Sequence, residues 1–273
     1  MRRLFLWLLP AGLGFLAATV LAWGAFAGLT GSLGTKPAPQ TAAARADAPT
    51  RPPGALRVVA LGDSLTFGTG DEEPAGGYAG RAVAELRKAQ PDIAFTNLAV
   101  EGLTTPGLVD LLRSPETQRT IAGAGLLLVS ISGNDLTRAA RGDASPLAPG
   151  GPLLETRKNL EEILKTLRAA NPHAPIRLLG LYDPLPAEAG PLPGTPERTA
   201  TKRVLLLWNS ALEEAALSAP GGATVVVPVA DLFEARPERL AKDRFHPGPA
   251  GHAEIAARVV SSLPAALVTA KAP

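Results

Sequence analysis

Cysteine is absent from this 273-residue chain, which removes disulfides, thiolate metal ligands and a thiol nucleophile together. Histidine occurs three times, as His173, His246 and His252. That is too few for a histidine-rich metal centre, and neither a metal nor an organic cofactor is expected. Aromatic residues make up 4% of the sequence and no basic stretch is interleaved with them. The electrostatic footprint of a nucleic-acid-binding surface is therefore missing, and a formal net charge of +2 does not supply one.

Long apolar runs, by contrast, are present, and the longest comes first. Met1-Arg2-Arg3 is followed by a nearly unbroken apolar stretch from Leu4 to Leu29. Roughly 26 residues at about 1.5 Å each would cross a ~30 Å hydrocarbon core with some tilt. Two cations before the run orient the N-terminus towards the cytoplasm. Residues 1–29 thus read as a signal anchor. A cleaved signal peptide is the alternative, with Ala25-Phe26-Ala27 before Gly28 as the processing site. In either case the rest of the chain is expected outside the cytoplasmic membrane, anchored or secreted. No cysteine follows the run, so acylation there is excluded. Residues 30–54 are rich in Ala, Pro and Thr without helical or strand period, and read as a linker. Residues 55–273 remain, enough for one domain with a sizeable core.

Within that domain, strand and helix signals alternate. Arg57–Leu61, Ile93–Val100, Gly125–Ser132, Pro175–Tyr182 and Ala223–Val229 predict five strands. Gly125–Ser132 (GLLLVSIS) is a continuous apolar run of the kind buried on both faces. Helical spacing predicts helices over Gly77–Gln90, after Thr104, and over Leu153–Ala170, Glu197–Leu217 and Pro249–Leu267. Leu160, Ile163, Leu164 and Leu167 form one face of the third, which Asn171-Pro172 stops. This alternation predicts an α/β fold, a three-layer α/β/α sandwich around a five-stranded parallel sheet, because parallel strands need helical crossovers. Ligands of such sheets sit at the carboxyl ends of the strands.

Four polar blocks fall at those ends. Leu61-Gly62-Asp63-Ser64-Leu65 follows the first strand, and a serine exposed at a sharp turn can act as a nucleophile if a base is paired with it. Asn97–Thr105 (NLAVEGLTT) follows the second, with Gly102 able to bring a backbone N–H close to a reacting oxygen. Ser132-Gly133-Asn134-Asp135 follows the third, where the Asn134 amide is a neutral donor suited to a developing oxyanion. Asp243-Arg244-Phe245-His246-Pro247 precedes the last helix. A carboxylate three residues ahead of an imidazole can fix one ring nitrogen and leave the other to accept a proton. Each block by itself is also an ordinary turn or helix cap.

Taken together and in this order, the four blocks resemble the SGNH hydrolase family, also called GDSL esterases and lipases. The match runs over about Arg57 to Val260 and is similar to bacterial lysophospholipase-like acylhydrolases. The resemblance implies the flavodoxin-like SGNH fold and a serine esterase with Ser64, His246 and Asp243 as the catalytic set. It also implies an oxyanion hole built from the backbone N–H groups of Ser64 and Gly102 and the side chain of Asn134. The implied partner is an ester of a small molecule, lipid or glycan; a carbohydrate O-acetylesterase or acetyltransferase acting on cell-envelope glycans is the alternative.

One residue departs from the family pattern. Glu101 stands before Gly102 where many members carry a small residue, and a carboxylate there opposes an oxyanion unless it points to solvent or a basic group. Asp63, His173 and His252 are assigned to structure. Two Pro/Gly-rich stretches, Gly142–Pro152 and Pro184–Pro196, are expected to wall the acyl pocket with Leu147, Tyr182 and Leu185, and to favour acyl chains of roughly two to eight carbons.

Overall fold

The computed structural model describes residues 45–46, 55–72, 76–141, 151–184 and 196–269. Packing separates Met1–Thr41 from a second unit, Ala42–Pro273. The first unit, and with it the expected membrane segment, lies outside the described residues, as do Leu147, Leu185 and most of the two Pro/Gly-rich stretches. No helix among the described residues is long and apolar enough to cross a membrane.

Five strands form the parallel sheet: β2 (Arg57–Gly62), β3 (Ala94–Asn97), β4 (Leu126–Ser130), β5 (Ile176–Leu179) and β6 (Thr224–Val227), in the order β3-β2-β4-β5-β6. A two-residue strand, β1 (Arg45–Ala46), within the stretch read as linker, pairs antiparallel with β3 at the edge. All residues of β4 are buried, as its apolar run requires of a central strand covered on both faces. Alternating side chains go to the two faces. Val59, Leu61, Leu127, Val129, Ile176 and Leu178 pack with α3 (Thr105–Leu112), α4 (Pro115–Ala122), α6 (Pro152–Ala170) and α7 (Pro196–Ser218). Val58, Ala60, Leu126, Leu128, Leu179 and Val227 pack with α2 (Gly77–Arg87) and α9 (Pro249–Ser261). This is the three-layer α/β/α sandwich the alternation predicts.

The elements differ from the sequence reading mainly at their ends. The helix expected after Thr104 is two helices, because Pro115 cannot continue α3 and instead opens α4. The closing helix likewise stops at Ser261, ahead of Pro264, and resumes as α10 (Ala265–Val268). Two short helices lack a readable period: the one-turn α1 (Ser64–Phe67) and α5 (Gly133–Arg141). One more turn, α8 (Ala230–Phe233), follows β6.

The chain leaves β2 towards β3 on one side, whereas β4 lies on the other. The carboxyl ends of β2 and β4 thus flank the point where strand order reverses, the place where an open α/β sheet leaves a crevice. The two strand ends meet without a gap: Asp63 N–H donates to the Ser130 carbonyl at 3.1 Å. Gly62 makes this possible. Its φ is 128°, and a Cβ there would stand 1.7 Å from the Ser130 oxygen, so no other residue fits.

Candidate active site

The nucleophile candidate sits on α1, which begins where β2 ends. Asp63 is the N-cap: its carboxylate accepts the Leu65 N–H at 3.2 Å. Its Oδ1 also accepts the Ser130 hydroxyl at 2.6 Å. Ser130 in turn accepts from the Thr66 hydroxyl at 2.7 Å and from Thr66 N–H at 3.2 Å. The Thr66 hydroxyl, its own proton given to Ser130, accepts from Tyr78 O–H at 2.8 Å. All four side chains are buried. The result is a one-way relay, Tyr78 to Thr66 to Ser130 to Asp63, under the turn that presents Ser64. Burial raises the Asp63 carboxyl above the usual range, while the bonds from Ser130 and Leu65 and the proximity of His246 pull it down. The structural role assigned to Asp63 agrees with this geometry.

Ser64 is 7% exposed, and its hydroxyl lies 2.9 Å from His246 Nε2. On the other side of the ring, His246 Nδ1 is 2.6 Å from Asp243 Oδ2. Asp243 Oδ1 accepts the backbone N–H groups of Phe245 and His246 at 2.9 and 3.0 Å, so one carboxylate fixes both the turn and the ring. Burial raises the Asp243 carboxyl, but the His246 and backbone hydrogen bonds outweigh it and hold the group below its ordinary value. Arg244, between them, has φ 55°. Such left-handed non-glycine backbone persists where the surroundings impose it.

The remaining donors come from the other two strand ends. Val100 N–H binds the Gly62 carbonyl at 2.9 Å, and Asn97 bridges to the Thr66 carbonyl through its amide. These bonds bring the loop carrying Gly102 against α1. Gly102 has φ 72°, and no atom lies within 4 Å of the place a Cβ would take. Asn134 lies in the first turn of α5, entered through Ser132 at φ 96°. Its amide nitrogen donates one hydrogen to the Leu103 carbonyl at 2.8 Å; the second remains for a ligand. The next residue, Asp135, ties the same two segments by accepting Thr105 N–H and the Thr105 hydroxyl.

Ser64, Asp243 and His246 therefore form one hydrogen-bonded set, and Gly102 and Asn134 are joined to it through the loop of residues 97–105. Glu101 is exposed and accepts a hydrogen bond from the Thr69 hydroxyl. It meets solvent and a neutral group, not a basic one. His252 is fully buried, accepts Tyr78 N–H at Nδ1 and donates from Nε2 to the Thr69 carbonyl, as its structural assignment requires. His173 is exposed in the turn after α6, where its N–H is held by Asn171.

Tyr182, expected beside the acyl pocket, is 6% exposed, stacks on Phe233 at 4.0 Å and donates its hydroxyl to the Phe245 carbonyl at 2.7 Å. It supports the histidine loop from below. Neither this contact nor the Tyr78–Thr66–Ser130 relay has a local sequence signal, because their partners are 12 to 64 residues apart.

Residues 60–254 match the model of the GDSL-like Lipase/Acylhydrolase family. The uncharacterized protein YpmR of Bacillus subtilis is 29% identical over 215 residues, 76% of this chain and 80% of YpmR. Among solved structures, the lipase Lip_vut3 from a goat rumen metagenome superposes with a TM-score of 0.62 at 21% identity, covering 76% of this chain and 97% of the lipase. A family 3 carbohydrate esterase of Clostridium thermocellum gives 0.54 at 17% identity, with 76% and 94% covered. At these identities the structural likeness concerns the fold.

Proposed function

Because the chain belongs to the GDSL-like lipase/acylhydrolase family, a family of ester hydrolases, we propose that it is a serine esterase working through Ser64, His246 and Asp243. The observation that carries this reading is the continuous set Ser64 Oγ, His246, Asp243, with contacts of 2.9 and 2.6 Å.

In the proposed reaction His246 Nε2 takes the Ser64 proton as the hydroxyl oxygen attacks the ester carbonyl. Asp243 keeps the proton on Nδ1 and balances the charge of the imidazolium. The tetrahedral oxyanion is met by the N–H groups of Ser64 and Gly102 and the free amide hydrogen of Asn134. His246 then returns its proton to the departing alcohol. Water, deprotonated by the same imidazole, hydrolyses the acyl-serine. Every step uses groups of this chain alone.

Short to medium acyl chains fit the reading best, since the two Pro/Gly-rich stretches, residues 142–152 and 184–196, are too short in sequence to build a lipid-sheltering lid. A second reading, deacylation of a carbohydrate, is supported by the shared fold of the Clostridium thermocellum carbohydrate esterase. A chain-length series of soluble acyl esters and acetylated sugars, run with the wild type and Ser64→Ala, tests both. Ser64→Ala is expected to fold normally and lose about 10⁴–10⁶-fold in kcat/KM; retention of a tenth of the activity overturns the assignment. We also propose that the domain works outside the cytoplasmic membrane, as Arg2-Arg3 and the Leu4–Leu29 run suggest. Cell fractionation that finds the intact chain soluble in the cytosol contradicts this.

A further inference from the structure

Beside the turn that carries Ser64 lies a carboxylate that the proposed acyl transfer does not use. Glu101 precedes Gly102 in the oxyanion-side loop and is tied across to Thr69 by that residue's hydroxyl. Thr69 is part of the nucleophile's own turn: its N–H donates to the Ser64 carbonyl at 3.0 Å, and its carbonyl is held by buried His252. The next residue, Gly70, abuts the histidine loop. A Cβ there would stand 2.4 Å from the Pro247 oxygen and 3.1 Å from His246 Cβ. Glu101 thus leaves the loop of one oxyanion donor and reaches the segment that packs against the base.

The other carboxylates of that segment have cations beside them. Asp71 pairs with Arg81 at 2.9 Å, and Glu72 with Lys242 at 2.8 Å. Among the described residues Glu101 has only the Thr69 hydroxyl, which cancels no charge and leaves the second carboxylate oxygen able to accept a hydrogen bond.

In the proposed reaction His246 Nε2 protonates the departing alkoxide, so the alcohol oxygen comes within hydrogen-bond reach of that nitrogen, and the Thr69–Gly70 segment to which Glu101 is tied borders the loop that carries His246. We infer that Glu101 is a specificity-determining residue that selects the alcohol part of the ester by charge. Hydroxyl-bearing neutral alcohols and cationic alcohols are accepted there; alcohols bearing a phosphate close to the ester, as in lysophospholipids, are disfavoured. The inference rests on the esterase reading and names the substrate class of the same site.

The test compares kcat/KM for the butyryl esters of choline, glycerol and glycerol phosphate, using the full chain and Glu101→Gln. Glutamine keeps the shape and can still accept from Thr69, so only the charge changes. One charge in a solvated cleft changes each ionic substrate by about three- to tenfold in opposite directions. The choline-to-phosphate preference is expected to fall by about tenfold or more in Glu101→Gln, and to shrink in the wild type as salt is raised. A preference equal in both proteins overturns the inference, as does an equal loss on all three esters, which would mark Glu101 as merely structural. If hydrolysis of these esters survives Ser64→Ala, the esterase reading itself fails and takes this inference with it; if none of the three is cleaved, this inference alone fails.

Discussion

His246 Nε2 lies 2.9 Å from Ser64 Oγ across 182 positions of sequence. Four separate devices hold the two together. Asp243 fixes the ring from behind, Tyr182 supports the loop at Phe245, Gly70 packs against its flank, and the buried relay ending on Asp63 fixes the serine's turn.

The tightest of these is the most informative to alter. Asn at position 243 can present an N–H instead of a lone pair to Nδ1, which drives the ring to the wrong tautomer while leaving its position nearly unchanged. Asp243→Asn is expected to reduce kcat by about 10²–10⁴-fold with little change in thermal stability. Because the Asp243 carboxyl is held below its ordinary range, it stays ionised well into acid, so the acid limb of the wild-type pH–rate profile belongs to another group. His246→Ala should remove most of the activity. An unchanged profile in a still-active variant would assign the base elsewhere.

Asn134 tests the oxyanion site. Its amide donates one hydrogen to Leu103, and among the described residues the other has no partner. Asn134→Ala should lower kcat by about 10²–10³-fold and leave KM near its wild-type value, because the oxyanion forms only along the reaction path. A raised KM with normal kcat would instead indicate a role in substrate binding.

Tyr182→Phe removes one hydroxyl and keeps the ring that stacks on Phe233. The lost bond to the Phe245 carbonyl should cost about 1 kcal/mol of stability. Since that carbonyl belongs to the residue beside His246, kcat is expected to fall severalfold while the pH dependence keeps its shape. Full activity in the variant would show that Asp243 alone suffices to place the ring.

His252 links the site's support to pH. Burial lowers its imidazole below the ordinary value, with the Thr69 carbonyl opposing. Nδ1 can accept Tyr78 N–H only while unprotonated. Between the depressed folded value and about 6.5, the unfolded chain therefore binds the proton that the folded chain refuses. This contribution to stability is complete above about pH 6.5 and is lost as pH falls below it. Denaturant unfolding at about pH 7.5 and about pH 5.5 should show a larger loss on acidification for the wild type than for His252→Gln. Equal losses would mean that this histidine titrates alike in both states.

Local chemistry settled much of this protein before any tertiary contact was considered. The period of the apolar residues defines strands and helices, because a strand buried on both faces reads as a continuous run such as Leu126–Ser130, and an amphipathic helix repeats as Leu160, Ile163, Leu164, Leu167 do. Strand-end positions for Ser64, Gly102 and Asn134, and the loop before the last helix for Asp243–His246, follow from the same reading. Tertiary structure decided what pattern cannot encode. It placed the ends of β2 and β4 side by side, so that Gly62 must lack a side chain and Ser130 can reach Asp63. It also set the Tyr182 hydroxyl against the Phe245 carbonyl as a support for the histidine loop. Periodicity reports which way a side chain faces within its own element. Which group of another element it meets depends on strand order and crossover, and those are fixed only when the whole core packs.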